Sequence, residues 1–351
     1  MKRVLALLTA AATIACAAVA DDRDTVARGI VENLPGYAPA ERVAGTIRIW
    51  GHGSFKRPFM AQLMRRWAAE FAAFHPAVRF ENKMYGTASA IGALATGAGD
   101  IALLGEEISP ASERTFRRAK GYAPTEIQVA TGSLDVNFFD YAHMIFVHAD
   151  NPLAGLSLPQ LERIFAAEPR SGRTLRRWGD LGLTGEWADQ PIRLHSWKVD
   201  EDFALFFRER VLHHSHRWNE RVQEYVHQPR ADGTQYDHGQ QIVDAVARDR
   251  YAIGLSNVRY ATPGVKALPL TWRDGAEAVP ATNATLVEQT YPLVRIIPAF
   301  VDRAPGEPLA PPVREFLRYV LSRQGQRALI DETGYLPLGA NARAAQLEKL
   351  K

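Results

Sequence analysis

Cysteine is almost absent: the 351 residues hold one, Cys16, so no intrachain disulfide and no cysteine-built metal site can form. An excess of charge of either sign is missing too. Lysine and arginine number 42 against 39 acids. Without Lys2 and Arg3 the balance is 40 − 39 = +1, too even to favour nucleic acid as a partner. Beyond the N-terminus no apolar run is long enough to span a bilayer. Walker-type GKS or GKT, a GxSxG elbow and HExxH are all lacking, which removes the usual signatures of nucleotide, serine and zinc hydrolases. No Ser-His-Asp set can be defended from order alone, and the chain is not expected to be an enzyme. What is there, 46% hydrophobic and 23% charged, is the composition of a soluble globular protein. At about 150 residues per domain the length predicts two domains.

The first twenty residues read as an export signal. Lys2-Arg3 is followed by an apolar run from Val4 to Ala17 and by Ala18-Val19-Ala20, a small-x-small cleavage site before Asp21. Thr13-Ile14-Ala15-Cys16 is a poor lipidation box, because Thr13 stands where leucine is usual. Cleavage after Ala20 leaves a mature chain without cysteine, which suits an oxidising compartment.

Residues 21–44, polar and carrying Pro35, Gly36 and Pro39, read as an extended N-terminal arm. From there strands and helices alternate. Thr46 to Trp50 alternates as a strand, and Gly51-His52-Gly53-Ser54-Phe55 is a glycine-rich turn. Phe59, Leu63, Trp67 and Phe71 are spaced by four on a helix that His75-Pro76 ends. Gly86 to Leu94 forms a second small-residue turn into a helix, and Asp100 to Leu104 a buried strand. Asp202 to Leu212 reads as an amphipathic helix with Phe203, Phe206 and Phe207 inward, and Pro312 to Ile330 as one long helix. The alternation predicts an α/β protein with mostly parallel sheets. Two such loops, each feeding a helix, offer backbone N–H groups and hydroxyls of Ser54, Thr87 and Ser89 to an oxyanion; from spacing alone, tight packing is the commoner reason for such glycines.

The residues also carry a resemblance. Gly51 to Phe55, Trp67-Ala68-Ala69-Glu70-Phe71 with His75-Pro76, Gly86-Thr87 and Gly99-Asp100-Ile101-Ala102 resemble successive signatures of the periplasmic phosphate-binding proteins of ABC importers. His148 to Leu153, Trp178 to Gly185, Arg250 to Gly254, Tyr291-Pro292-Leu293 and Gly334 to Leu338 continue the series. The resemblance implies the type II periplasmic binding protein fold, two α/β lobes joined by a two-strand hinge with the ligand in the cleft between them. Lobe 1 is expected at 45–139 plus 257–351 and lobe 2 at 140–256, with the hinge near Asp135–Asp140 and Ser256–Tyr260. It implies a small-molecule solute captured by cleft closure, an ABC-importer permease as partner, a monomer, and a periplasmic location.

Carried over by position, Ser54 and Phe55 fit the first loop and Thr87 the second loop's serine. Gly105-Glu106 stands where the family often has Ser-Arg or Ser-Asp, and Glu107 follows. Trp197 stands at an arginine position, and Glu201-Asp202-Phe203 at the family's Ser-Gly-Thr. The expected ligand-binding set is therefore Ser54, Phe55, Thr87, Glu106, Trp197 and Glu201. It favours a solute with an apolar surface and a neutral or cationic group, one that can stack on Trp197, over free phosphate. Two alternatives stay open: a phosphate binder with rearranged contacts, and a non-transport periplasmic sensor or partner protein. His213-His214-Ser215-His216, with His52, His195 and His227 elsewhere, suggests a metal; an exposed helix C-terminus explains the run more simply. No metal or cofactor is expected.

Overall fold

The computed structural model describes residues 23–53, 58–134, 142–200 and 202–351. The leader expected at 1–20, the site residues Ser54, Phe55 and Glu201, and the hinge segment expected at 135–140 lie outside the described residues. Among the described residues, no helix is long and apolar enough to cross a membrane.

The chain divides into two units, one of residues 23–134, 286–288 and 295–351, the other of 142–285 and 289–294. Four strands come first: β1 (Gly45–Gly51), β2 (Val78–Lys83), β3 (Ile101–Leu103) and β4 (Thr125–Thr131). The second unit contributes β5 (Met144–His148), β6 (Leu156–Ser157), β7 (Arg193–Trp197) and β8 (Val222–Tyr225). It continues with β9 (Gln228–Pro229), β10 (Gln235–Tyr236), β11 (Ala252–Ser256), β12 (Val265–Ala267) and β13 (Leu270–Thr271). The chain then returns to the first unit with β14 (Ile296–Val301).

Both main sheets are mixed, not mostly parallel. In the first unit the order is β2-β1-β3-β14-β4, with β1 parallel to β2 and β3, and β14 antiparallel to β3 and β4. In the second the order is β12-β5-β11-β7-β8, with β7 parallel to β8 and β11, and β5 antiparallel to β11 and β12. Alternating strands and helices in a sequence do not carry the direction of a pairing made a hundred residues later. The same long-range pairing moves the domain boundary. β12 pairs with β5 and β13 with β6, so 257–285 belongs with 142–256. The return to the first unit lies at 286–295, not near Ser256–Tyr260.

Two further expectations change. Residues 23–32 are helical rather than extended. Ala27 and Val31, four apart, are fully buried, and Arg23 donates to the carbonyls of Ile330 and Thr333, each at 3.0 Å. The prolines and glycine that suggested an arm lie only downstream of this helix. The final long helix is two, Pro311–Val320 and Arg323–Glu332. Ser322 interrupts it, extended and accepting from the Gly325 N–H as an N-cap. The helix Phe59–Phe74 forms where the four-residue spacing puts it, burying Leu63, Trp67 and Phe71 with Met60 and Met64. Trp67 Nε1 donates to Gly325 O at 2.9 Å, which ties this helix to the one after Ser322.

His75, at the end of that helix, is buried. Val43 N–H donates to its Nδ1 at 3.3 Å, and its Nε2 lies 2.8 Å from the Tyr37 hydroxyl, which donates to Glu315 at 2.8 Å. Burial holds the His75 imidazole below histidine's ordinary range, and a second proton on Nδ1 displaces the Val43 bond. The unfolded chain accepts that proton more readily, so the contribution is complete above about pH 6.5 and is lost as pH falls through the lowered native value. The urea midpoint should therefore drop between about pH 7.5 and 5. His75→Phe, which keeps a ring and cannot titrate, should show a smaller drop; an equal drop contradicts the assignment.

Candidate functional site

The C-terminal ends of β1, β2 and β3 lie side by side, because the three strands are parallel neighbours. In α/β sheets, ligands gather at this edge. β1 ends at Gly51, whose φ of +137° favours glycine and whose position admits no side chain: a Cβ there would lie 1.9 Å from Leu103 O. This close approach lets His52 N–H donate to Leu103 O at 2.7 Å and Gly86 N–H to Gly51 O at 3.0 Å. Three loops are thereby laced together. The His52 ring packs over Gly105, where a Cβ would come within 2.2 Å of Nδ1, and its Nε2 lies 2.7 Å from the Tyr335 hydroxyl. Thr87 opens a short 3-10 turn, and its Oγ1 accepts from Gly105 N–H at 3.3 Å.

The loop after β3 carries two acids. Glu106 and Glu107 follow Gly105, both half-buried. Glu107 Oε2 accepts from Arg295 Nη2 at 3.0 Å, and that guanidinium is 4% exposed. The other oxygen, Glu107 Oε1, is buried and has no hydrogen-bond partner among the described residues. Arg295 reaches this edge because β14, which it precedes, runs antiparallel to β3. A buried carboxylate oxygen of this kind is an acceptor waiting for a donor.

In the second unit, Trp197 ends β7 and is fully buried. Its ring centroid lies 4.9 Å from His143, 5.3 Å from Phe203 and 6.2 Å from His238. Stacking of a solute on Trp197 requires one of these rings to move aside. Asp202 begins the helix Asp202–Arg210, on which Phe206 and Phe207 are buried. That helix stops before the histidine run, and His213 and His214 turn left-handed with φ of 51° and 63°. His213 Nε2 lies 3.8 Å from Glu162 and His216 Nδ1 accepts from Arg208 at 3.1 Å, so these two histidines share no helical face.

Residues 38–324 match the model of a PBP superfamily domain. Across 355 aligned positions the chain is 32% identical to the phosphate-binding protein PstS of Pseudomonas aeruginosa PAO1, and equally to that of strain UCBPP-PA14, covering 100% of this chain and 99% of each relative. The chain belongs to this phosphate-binding protein family. Its fold is that of the type II periplasmic binding proteins: the crystal structure of PstS from Borrelia burgdorferi aligns with a TM-score of 0.56 at 12% identity, over 86% of this chain and 100% of that one. Of the residues expected from the family's loops, Thr87 and Glu106 lie at one sheet edge in the first unit, and Trp197 lies in the second. Two groups at that edge were not anticipated. In the sequence His52 stands out only as part of a glycine turn and as one of the scattered histidines, and Arg295 has no signal there, since only the β14–β3 pairing brings it beside Glu107.

Proposed function

We propose that the protein is the periplasmic solute-binding component of an ABC importer, and that its solute is a small molecule presenting a neutral or cationic hydrogen-bond donor, not free phosphate. The observation that carries this is the Glu107 carboxylate at the C-terminal edge of β3, with one oxygen engaged by Arg295 and the other buried without a partner. A neutral or cationic donor group on the solute satisfies that oxygen without like-charge repulsion, whereas protonated phosphate can donate to it only through a P–OH and brings its remaining oxygens as acceptors of like charge. Ser54, Phe55, Thr87 and Glu106 are proposed to complete the first unit's contacts, and Trp197 and Glu201 the second's. The glycine turns with Thr87 and the 32% identity to PstS favour the second reading, a phosphate binder with rearranged contacts.

Native mass spectrometry of protein exported with its own leader and purified without added phosphate distinguishes the two. An organic solute released on denaturation is the expected result. Protein carrying inorganic phosphate alone overturns the first reading in favour of the second.

A further inference from the structure

We infer that His227, Asp237 and His238 form a binding site for a divalent transition-metal ion, Zn²⁺ by its ligand chemistry. The three residues offer ligand atoms that all lie within 4.8 Å of one another. His227 Nδ1 is 3.6 Å from Asp237 Oδ2, and His238 Nε2 is 3.9 Å from Asp237 Oδ1. Bonds of about 2.0–2.2 Å to one ion bring such atoms within roughly 3–4 Å of each other, a movement that the exposed His227 ring can supply.

The arrangement is built by the backbone. β9 and β10 form a hairpin with Gln228 opposite Tyr236 and Pro229 opposite Gln235, and continuing that register by one residue sets His227 across from Asp237. The Gln241 side-chain amide donates to Val226 O at 2.7 Å and to Tyr236 O at 2.9 Å, fastening both arms of the hairpin just where the ligands emerge. Asp237 caps the helix His238–Arg248, with Oδ1 accepting from Gly239 N–H at 3.0 Å, so its carboxylate is oriented before any ion arrives. His238 is buried, packed against Phe203 at 5.4 Å and Trp197 at 6.2 Å, and its ring stacks on that of His227 at 4.0 Å. An apolar wall on one side and an exposed histidine on the other describe a site with one open face. Two imidazoles and one carboxylate suit Zn²⁺ better than Mg²⁺ or Ca²⁺, which take oxygen. Among the described residues, the ion-pair partners of Asp237 are these same two histidines.

The test is a competition titration of Zn²⁺ against a chromophoric chelator, on mature protein without a polyhistidine tag. One equivalent should bind with a dissociation constant of about 1 μM or tighter. His227→Ala should weaken it by at least about tenfold, as should Asp237→Asn, which retains a helix-capping acceptor. The double variant His213→Ala/His216→Ala should leave it unchanged. Binding weaker than about 1 mM overturns the assignment, as does affinity unaffected by His227→Ala and Asp237→Asn, or affinity lost in the His213/His216 variant. None of these readouts depends on which solute the protein carries.

Discussion

Replacing Glu315 by alanine should cost about 3–5 kcal/mol of stability, the scale for removing one partner of a buried charged network. Its side chain is fully buried on the helix Pro311–Val320. The carboxylate accepts from Arg318 Nη1 at 2.7 Å, from the Tyr37 hydroxyl at 2.8 Å and from Ala40 N–H at 3.2 Å. Burial, then the bond to Glu315, pushes the Tyr37 phenol up, so at neutral pH it remains a donor and needs an acceptor. Alanine removes the acceptor shared by three donors, two of them on the segment that leads from the N-terminal helix into β1. Glu315→Gln keeps the volume and one acceptor oxygen, and should cost less than half as much. Guanidinium unfolding of the two variants against the parent measures both losses. A loss for Glu315→Ala below about 1 kcal/mol, the worth of one ordinary hydrogen bond, would contradict this account of the network.

Local patterns in the sequence were sufficient for β1, the helix Phe59–Phe74 and the glycine turn at Gly51, because periodicity and chain-reversal chemistry act within a few residues. They did not suffice for anything decided by distant pairing. The antiparallel entry of β14, the addition of β12 to β5 and the contact of Arg295 with Glu107 each join segments more than a hundred residues apart. The N-terminal helix has a related reason: Ala27 and Val31 make only a narrow apolar stripe, and Arg23 is tied to the carbonyls of Ile330 and Thr333, some three hundred residues away. At the site, the replacement of the family's arginine and Ser-Gly-Thr is proposed on the resemblance by position alone. That Trp197 is enclosed by rings, and so serves as apolar bulk in this conformation, was not legible in the sequence, because amphipathic spacing does not say which face of a strand end is covered.

Inorganic phosphate should bind far more weakly than a dedicated phosphate site allows. By resemblance, the positions of Trp197 and of Glu201-Asp202-Phe203 held a guanidinium and two hydroxyls, and each lost charge-assisted contact is worth about 1.5–3 kcal/mol. The first unit adds a penalty. At an effective dielectric constant of about 20, like charges about 4 Å apart repel by roughly 4 kcal/mol, and Glu106 stands at this edge beside the Glu107–Arg295 pair. Arg295 is paired with Glu107 at 3.0 Å, so these two charges offset each other. A site losing two or three contacts moves from a micromolar to a millimolar constant or beyond, since about 4 kcal/mol separates the two.

Isothermal titration calorimetry of inorganic phosphate into the protein at about pH 7.5, after unfolding and refolding to release any carried solute, measures this directly. The account predicts no saturable binding below about 1 mM. A dissociation constant of about 10 μM or tighter, at one phosphate per chain, would contradict it and return the protein to the plain function of its relatives.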